Sequence, residues 1–527
     1  MKLRLFSVAL FLIIATGVLL AQPIKTPYVF VQSGNDTIHS PILPEPPSGI
    51  ERVEILNGHF VAGDKKADRI RFFGTELDWT SQFISGDEAR ILAKHLHKLG
   101  FNAVRLVDND YHYWNAASFF DNVNQTTSYN VNPSQVAKFD TLLYELKQQG
   151  IYSFLVLNSV HYYMQGDGVA QWDTIHSYGQ FVHFIDDRAA ELHRNWAKTF
   201  LTHVNPLTGL RLADDPAVAA IEVTSPGLSL LGGWRYNYLN WIDEKNVLTV
   251  GGAYTIGWNR SRRLDSLFSQ YLLHKYGSNA GIDNAWKGAA VTNPPNTILN
   301  GSFEQVGSTA WSFAVANGAI GDKSIFTPGI DSQYCELVIL SGLSTNPVWY
   351  DAYLQNTTAR LGQDTLYELS FYAKIHFDPA TPVTKRPIMI YLAQYQTGAA
   401  SLVTPQIIDT NWTKYTFPFR AMAGGLQTLY LGVGEQLGDV MFDGVTIKKK
   451  QEYGLLPGES IATSSIVRIK FGESDLLPHQ RVRDLALFYD SLQTVYFSAM
   501  RKCISDTIKS SVLIDLYAPE YWGTMQD

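Results

Sequence analysis

From residue 51 the apolar positions follow one texture and then another. Residues 69–77 (RIRFFGTEL) read as a strand. Residues 86–99 (GDEARILAKHLHKL) repeat apolar side chains at helical spacing until Gly100 stops the run. Residues 101–107 (FNAVRLV) predict a second strand, and residues 133–149 a second helix ended by Gly150. Residues 151–157 (IYSFLVL) are almost wholly apolar, as expected of a strand covered on both faces. Helix, strand and helix follow at 186–203, 217–224 (AVAAIEVT) and 262–276. Such alternation predicts βα units and a parallel sheet.

The texture changes at a turn-rich junction, residues 291–300 (VTNPPNTILN). Short alternating runs then succeed one another: 367–375 (YELSFYAKI), 387–395 (PIMIYLAQY), 413–419 (TKYTFPF), 428–433 and 440–448 (VMFDGVTIK). They predict an antiparallel β-sandwich. Helical spacing returns over 480–508, followed by a strand-like run at 512–517. The expected fold class is therefore α/β plus all-β. It is a (β/α)8-type barrel with about five of its eight units present, interrupted by an antiparallel β-sandwich. The expected division is 1–21 signal peptide, 22–50 extended lead-in, 51–292 first part of the barrel, 293–450 sandwich and 451–527 truncated continuation of the barrel.

The signal peptide is read from Lys2 and Arg4 before an apolar run, Leu5 to Leu20, that ends at Ala21-Gln22-Pro23. The rival reading is a membrane anchor, but the run falls short of the ~20 residues a spanning helix needs. Export follows, to the periplasm, the cell surface or the medium, with no membrane span kept after cleavage. Pro41, Pro44, Pro46 and Pro47 give the lead-in its extended character.

Composition narrows the partners. Charged residues are 17% of the chain, against about 25% in an average domain, and the net charge of -7 excludes a nucleic-acid protein held by a basic surface. With 46% apolar residues the chain is not disordered, and two cysteines exclude a disulfide scaffold. Cys335 and Cys503 fall in different predicted domains, so no bridge is expected between them. Aromatics at 13% lean toward neutral, hydroxyl-rich ligands, because flat rings cover the apolar faces of sugars.

Residues 69–105, with RIRFFGTELDWTSQF and GFNAVR, resemble the first two βα units of clan A glycoside hydrolases, the family 5-like barrels. Residues 203–230 (HVNPLTGLRLADDPAVAAIEVTSPGLSL) are similar to the segment leading into the catalytic fourth strand of that clan. NGSFE at 300–304, Trp311, WTKYTFPF at 412–419 and FDGVTI at 442–447 resemble carbohydrate-binding modules of the family 4/9 type. The resemblance implies a retaining O-glycosyl hydrolase ancestry and a polysaccharide or oligosaccharide partner.

Retaining hydrolysis needs two carboxyl groups, one as acid/base and one as nucleophile. In the resembled clan the acid/base is the Glu of an Asn-Glu pair ending the fourth strand, and the nucleophile ends the seventh. Here Ser225 and Pro226 stand where that pair belongs, and no seventh strand is found. Catalytic impairment follows. Glu222 is the weak stand-in, and the plainer reading makes it a buried acid hydrogen-bonded inside the sheet. Glu520, Glu76 and Asp78 are further acids near strand ends.

Other residues fit a cleft. The resemblance gives Arg105 an orienting role, against a structural salt bridge to an acid such as Asp108. It likewise makes His161 a cleft histidine, against a surface loop residue. Trp79, Trp114, Tyr162 and Trp172 follow strands and either stack on sugar or pack in loops. In the sandwich, Trp349, Tyr350 and Tyr353, with Gln355, Tyr391, Gln394 and Tyr395, are candidates for a sugar groove, though alternate strand residues must be core. Glu304 and Asp443 match positions near the structural calcium site that the resemblance implies. No cofactor is required. Two rivals remain: a pure binding protein with the barrel remnant as scaffold, and an active hydrolase using displaced carboxylates.

Overall fold

A capping box starts the first helix of the α/β part, where Ser85 and Glu88 satisfy each other's backbone N–H groups. Asn132 followed by Pro133, and Asp186, cap the next two helices. Gly100 and Gly150 end the first two, each with a positive φ that other residues resist. In this computed structural model the residues described are 49–63, 69–110, 117–121, 125–158, 161–175, 181–225, 229–235, 239, 258–376 and 382–515. The leader, Trp114, Pro226 and Glu520 lie outside the described residues.

A hairpin, β1 (Val53–Leu56) and β2 (His59–Ala62), comes first. Then follow β3 (Gly74–Asp78), α1 (Gly86–Lys98), β4 (Ala103–Val107), α2 (Pro133–Gln148), β5 (Tyr152–Val156) and α3 (Asp187–Thr202). A small hairpin, β6 (Val204–Asn205) and β7 (Leu210–Arg211), leads to β8 (Val218–Glu222), α4 (Leu230–Arg235), α5 (Trp258–Tyr276) and α6 (Asn279–Trp286). After the sandwich come α7 (His479–Lys502), a π-turn at Cys503–Thr507, and β19 (Leu513–Asp515).

The parallel sheet runs β3-β4-β5-β8-β19, so the last strand pairs with the fourth although the whole sandwich separates them in sequence. Among the described residues β3 and β19 are open edges. The described strands make a five-stranded parallel sheet, short of the eight that close a barrel. One face carries Val104, Leu106, Leu155, Ile221 and Val223, which pack against the helices in the main core. The other face alternates with it. At its amino-terminal end Val53, Tyr152, Ala219, Phe72 and Phe154 form an apolar plug under the sheet. Residues 69–77 were expected as one strand, but Ile70 and Phe72 turn into this plug and β3 begins only at Gly74.

The sandwich has two five-stranded antiparallel sheets. One runs β10-β11-β18-β13-β16: Ile320–Phe326, Cys335–Gly342, Asp439–Lys449, Leu366–His376 and Thr413–Arg420. The other runs β15-β14-β17-β12-β9: Ala400–Asp409, Lys385–Gln394, Gly425–Gly432, Ala352–Leu361 and Trp311–Val315. A separate core lies between them, built on Leu354, Phe371, Ile390, Leu431 and Phe442. Arg420 at the end of β16 joins the two parts. It donates to the carbonyls of Asp475 (2.8 Å) and Leu477 (3.0 Å) and pairs with Glu452. Among the described residues no helix is long and apolar enough to cross a membrane.

Candidate functional site

Two places gather the residues that sequence reasoning singled out. The first is the face of the parallel sheet turned away from the helices. Glu76 on β3 lies level with Arg105 on β4, and Glu222 ends β8. Arg105 Nε donates to Glu222 Oε1 (2.8 Å) and Oε2 (3.0 Å), and Nη2 donates to Oε2 (2.8 Å). Its Nη1 donates to Glu76. Burial works against the guanidinium charge, but the Glu222 and Glu76 carboxylates outweigh it and raise the Arg105 pKa. Both oxygens of Glu222 are thus spent on Arg105. Asp108, the partner considered for Arg105, accepts instead from the indole Nε1 of Trp79 at 3.0 Å. Trp79 is 42% exposed, at the carboxyl end of β3.

His161 is no cleft wall. It is buried, its Nε2 lies 2.7 Å from Ser128 Oγ, and its ring stacks on Tyr129 with centroids 4.1 Å apart. Tyr162 beside it is half-buried. Two other histidines lie nearby under the loops. His183 Nδ1 faces Asn158 Nδ2 at 3.2 Å, His193 Nδ1 meets the Tyr496 hydroxyl, and the two rings are 5.6 Å apart. Among the described residues neither Nε2 has a hydrogen-bond partner. Burial pushes the His183 pKa down to about 3 and carries His193 well below its ordinary value, with His183 and Arg194 adding to the latter. Both are neutral when folded, whereas the unfolded chain binds protons below about pH 6.5. Stability is therefore whole above that pH and is lost as pH falls toward 3. At pH 5, His183 alone costs about 2 kcal/mol. Urea unfolding at pH 7.5 and 5.0 should show this loss, and His183→Gln should reduce the difference. Equal midpoints at both pH values would disprove it.

The second place is the outer face of the sheet β15-β14-β17-β12-β9. Register sets two rows of outward side chains across its five strands. One row is Val403, Tyr391, Tyr430, Gln355 and Ser312. The next is Pro405, Met389, Gly432, Tyr353 and Ala314. Neither row contains a charged side chain. The outer face of the other sheet does: Lys414 lies opposite Tyr372, and Lys448 opposite Glu368. An exposed sheet face ordinarily carries polar and charged residues, so an uncharged aromatic one marks a contact surface.

The rings form a continuous platform. Tyr391 and Tyr430 have centroids 5.8 Å apart, Tyr353 and Tyr430 5.3 Å, and Trp349 and Tyr391 5.4 Å. Tyr350 stands edge-on to Trp349 at 5.4 Å and is 50% exposed. Gln355 Nε2 donates to Ser312 Oγ at 3.0 Å, a polar pair at the end of the aromatic row. Gln394 lies apart from this pair. Its Oε1 accepts from the Gln396 and Thr397 amides and holds the β14–β15 turn. Tyr430 was missed in the sequence, although alternation with core residues Leu429 and Leu431 placed it on the outer face.

Solved structures similar to parts of this chain include the following three. A family 4 carbohydrate-binding module is 20% identical over 29% of this chain and 99% of its own, with a TM-score of 0.24. A family 11 carbohydrate-binding module from Clostridium thermocellum, solved with a β-1,3-1,4-mixed-linked tetrasaccharide, is 14% identical over 28% of this chain and 92% of its own (TM-score 0.22). The endo-1,4-β-mannanase of Rhizomucor miehei is 18% identical over 33% of this chain and 48% of its own (TM-score 0.27). The sequence matches no protein-family model and no curated protein.

Glu304 and Asp443 both accept hydrogen bonds from the 329–334 loop. Asp443 is buried and accepts from the amides of Ile330 (2.8 Å), Asp331 (2.9 Å) and Gly444 (2.7 Å). Burial nevertheless raises its pKa, against those three donors. Glu304 accepts from the Tyr334 amide at 2.7 Å and borders a polar pocket of about 260 Å³ that Asp331 also lines. Both carboxylates tie the 329–334 loop to the sandwich. Among the described residues no group of three or more His, Cys, Asp or Glu side chains could hold a metal.

Proposed function

We propose that this is an exported carbohydrate-binding protein that holds a neutral polysaccharide on the outer face of the sheet β15-β14-β17-β12-β9. The observation that carries this reading is the pair of uncharged rows with Tyr391, Tyr430, Tyr353 and Trp349 side by side. Rings covering several strands match the apolar faces of successive sugar units, and Gln355 and Ser312 offer amide and hydroxyl groups to their hydroxyls. A charged glycan would find no counter-charge in these rows.

The parallel sheet fits a glycoside hydrolase ancestor whose chemistry has lapsed. Bond cleavage with retention needs an acid and a nucleophile free to work on either side of the sugar. Here Glu222 and Glu76 share one guanidinium.

Native gels cast with barley mixed-linkage β-glucan, konjac glucomannan, xylan or polygalacturonate test both statements. The full chain should be retarded by a neutral β-linked polymer and not by polygalacturonate. No reducing ends should appear on prolonged incubation. Retardation by polygalacturonate alone, or by none of the four, would overturn the binding reading. Turnover that disappears in Glu222→Gln would restore the hydrolase reading.

A further inference from the structure

Gly432 stands in the middle of the second row, between Met389 on β14 and Tyr353 on β12. A Cβ placed there would lie 2.5 Å from Cε3 of Trp349, 2.9 Å from its carbonyl oxygen and 3.2 Å from its Cβ. The φ of Gly432 is not positive, so the strand backbone itself would accept alanine. What keeps the position bare is Trp349, whose indole and carbonyl oxygen both lie on it.

The turn that carries this indole, Trp349–Asp351, is anchored from one end. Asp351 is buried and accepts from Asn317 Nδ2 (2.6 Å), Ser344 Oγ (2.5 Å) and the Val348 amide (3.1 Å). Gly434 serves the same turn differently. Its Cβ would meet Val348 O at 2.3 Å and the Ala352 amide nitrogen at 2.8 Å, both backbone atoms that cannot swing aside. At Gly432 the nearest atom belongs to a ring that can swing aside, and one backbone atom, the Trp349 carbonyl oxygen at 2.9 Å, must give way with it. Gly434 thus admits only the backbone of the turn, and Gly432 admits the ring together with the Trp349 carbonyl.

We infer that Gly432 is the positioning residue of the platform: its bare backbone is the seat that fixes the height and tilt of the Trp349 indole against Tyr391. This rests on the reading of that face as a glycan platform. Alanine at 432 pushes the ring, and with it the Trp349 carbonyl, off the sheet and leaves the sandwich folded. Alanine at 434 strains the turn itself.

The full-length protein is labelled with 5-fluorotryptophan, and the Trp349 resonance is assigned by its loss in Trp349→Phe. Binding is read in gels containing barley β-glucan or glucomannan. Gly432→Ala should shift the Trp349 fluorine line, melt closer to wild type than Gly434→Ala does and weaken binding at least tenfold. The double variant Gly432→Ala/Trp349→Ala should bind no worse than Trp349→Ala alone, since a seat matters only through what sits on it. Gly434→Ala should melt lower than wild type. An unmoved fluorine line, a melting temperature in Gly432→Ala as low as in Gly434→Ala, wild-type binding by it, or losses that multiply in the double variant each overturn the inference. If no polymer retards wild type, the glycan reading falls by itself, and the fluorine line still decides the seat.

Discussion

Tyr430→Ala is expected to weaken neutral-glycan binding by tenfold to a hundredfold, about 1.4–2.8 kcal/mol. The size follows from position. Tyr430 lies on the central strand of its sheet, next to Tyr391 in register and edge-on to Tyr353. Removing it takes away its own contact area and the side support of both neighbours. Burial raises the Tyr430 pKa, so the phenol stays protonated and can donate a hydrogen bond near neutral pH. Tyr430→Phe therefore separates the two contributions: it keeps the ring and should lose only a few-fold. The residue faces outward, so the melting temperature should hold. Titration with barley β-glucan or glucomannan oligosaccharides checks this, and an unchanged affinity in Tyr430→Ala would remove the platform from the account.

The largest stability effect is expected at Asp484 on α7. Its side chain is fully buried and accepts four hydrogen bonds. The donors are Lys275 Nζ (2.8 Å), Tyr276 OH (2.7 Å), Trp286 Nε1 (2.8 Å) and Gln480 Nε2 (2.8 Å). These donors come from α5, α6 and α7, so one carboxylate clamps the helices on either side of the inserted sandwich in sequence. Burial works against the Lys275 charge, but the Asp484 carboxylate outweighs it and raises the Lys275 pKa. Asp484→Ala leaves a buried indole N–H without its acceptor and sends the Lys275 ammonium, a third exposed, to water. The expected loss is about 2–4 kcal/mol, from several hydrogen bonds to a charged acceptor and one buried donor left unpaired. Urea unfolding followed by tryptophan fluorescence should show an early transition of the α/β part. Glycan binding should persist below it, because the sandwich core is separate. A loss under about 1 kcal/mol would mean that water replaces the carboxylate.

Much of the α/β layout was legible along the chain. Residues 86–99 and 133–149 became Gly86–Lys98 and Pro133–Gln148 because apolar spacing, caps and glycine stops all act within a few residues. The hairpin Val53–Ala62 was missed, though Asn57-Gly58 between apolar residues is a strong turn signal and both carry positive φ. The strand expected at 69–77 shortened because Ile70 and Phe72 found a better place under the sheet than in it.

The candidate sites were legible as residue types and not as partnerships. Arg105 was singled out, but its partners lie 117 and 29 residues away, and the nearer Asp108 went to Trp79. His161, expected at a mouth or on a surface loop, proved to be packed among aromatic rings.

The sequence by itself determined the main helices and strands of the α/β part, and that a parallel sheet is interrupted by a sandwich. Both depend on periodicity and turn chemistry that each segment carries alone. Only the tertiary structure decided that Glu222 and Glu76 share one guanidinium, that Tyr430 completes the aromatic row, and that Gly432 is bare because an indole lies on it. Those facts depend on register between strands far apart in the chain. Register is set by the packing of both faces together, not by any one strand's own pattern.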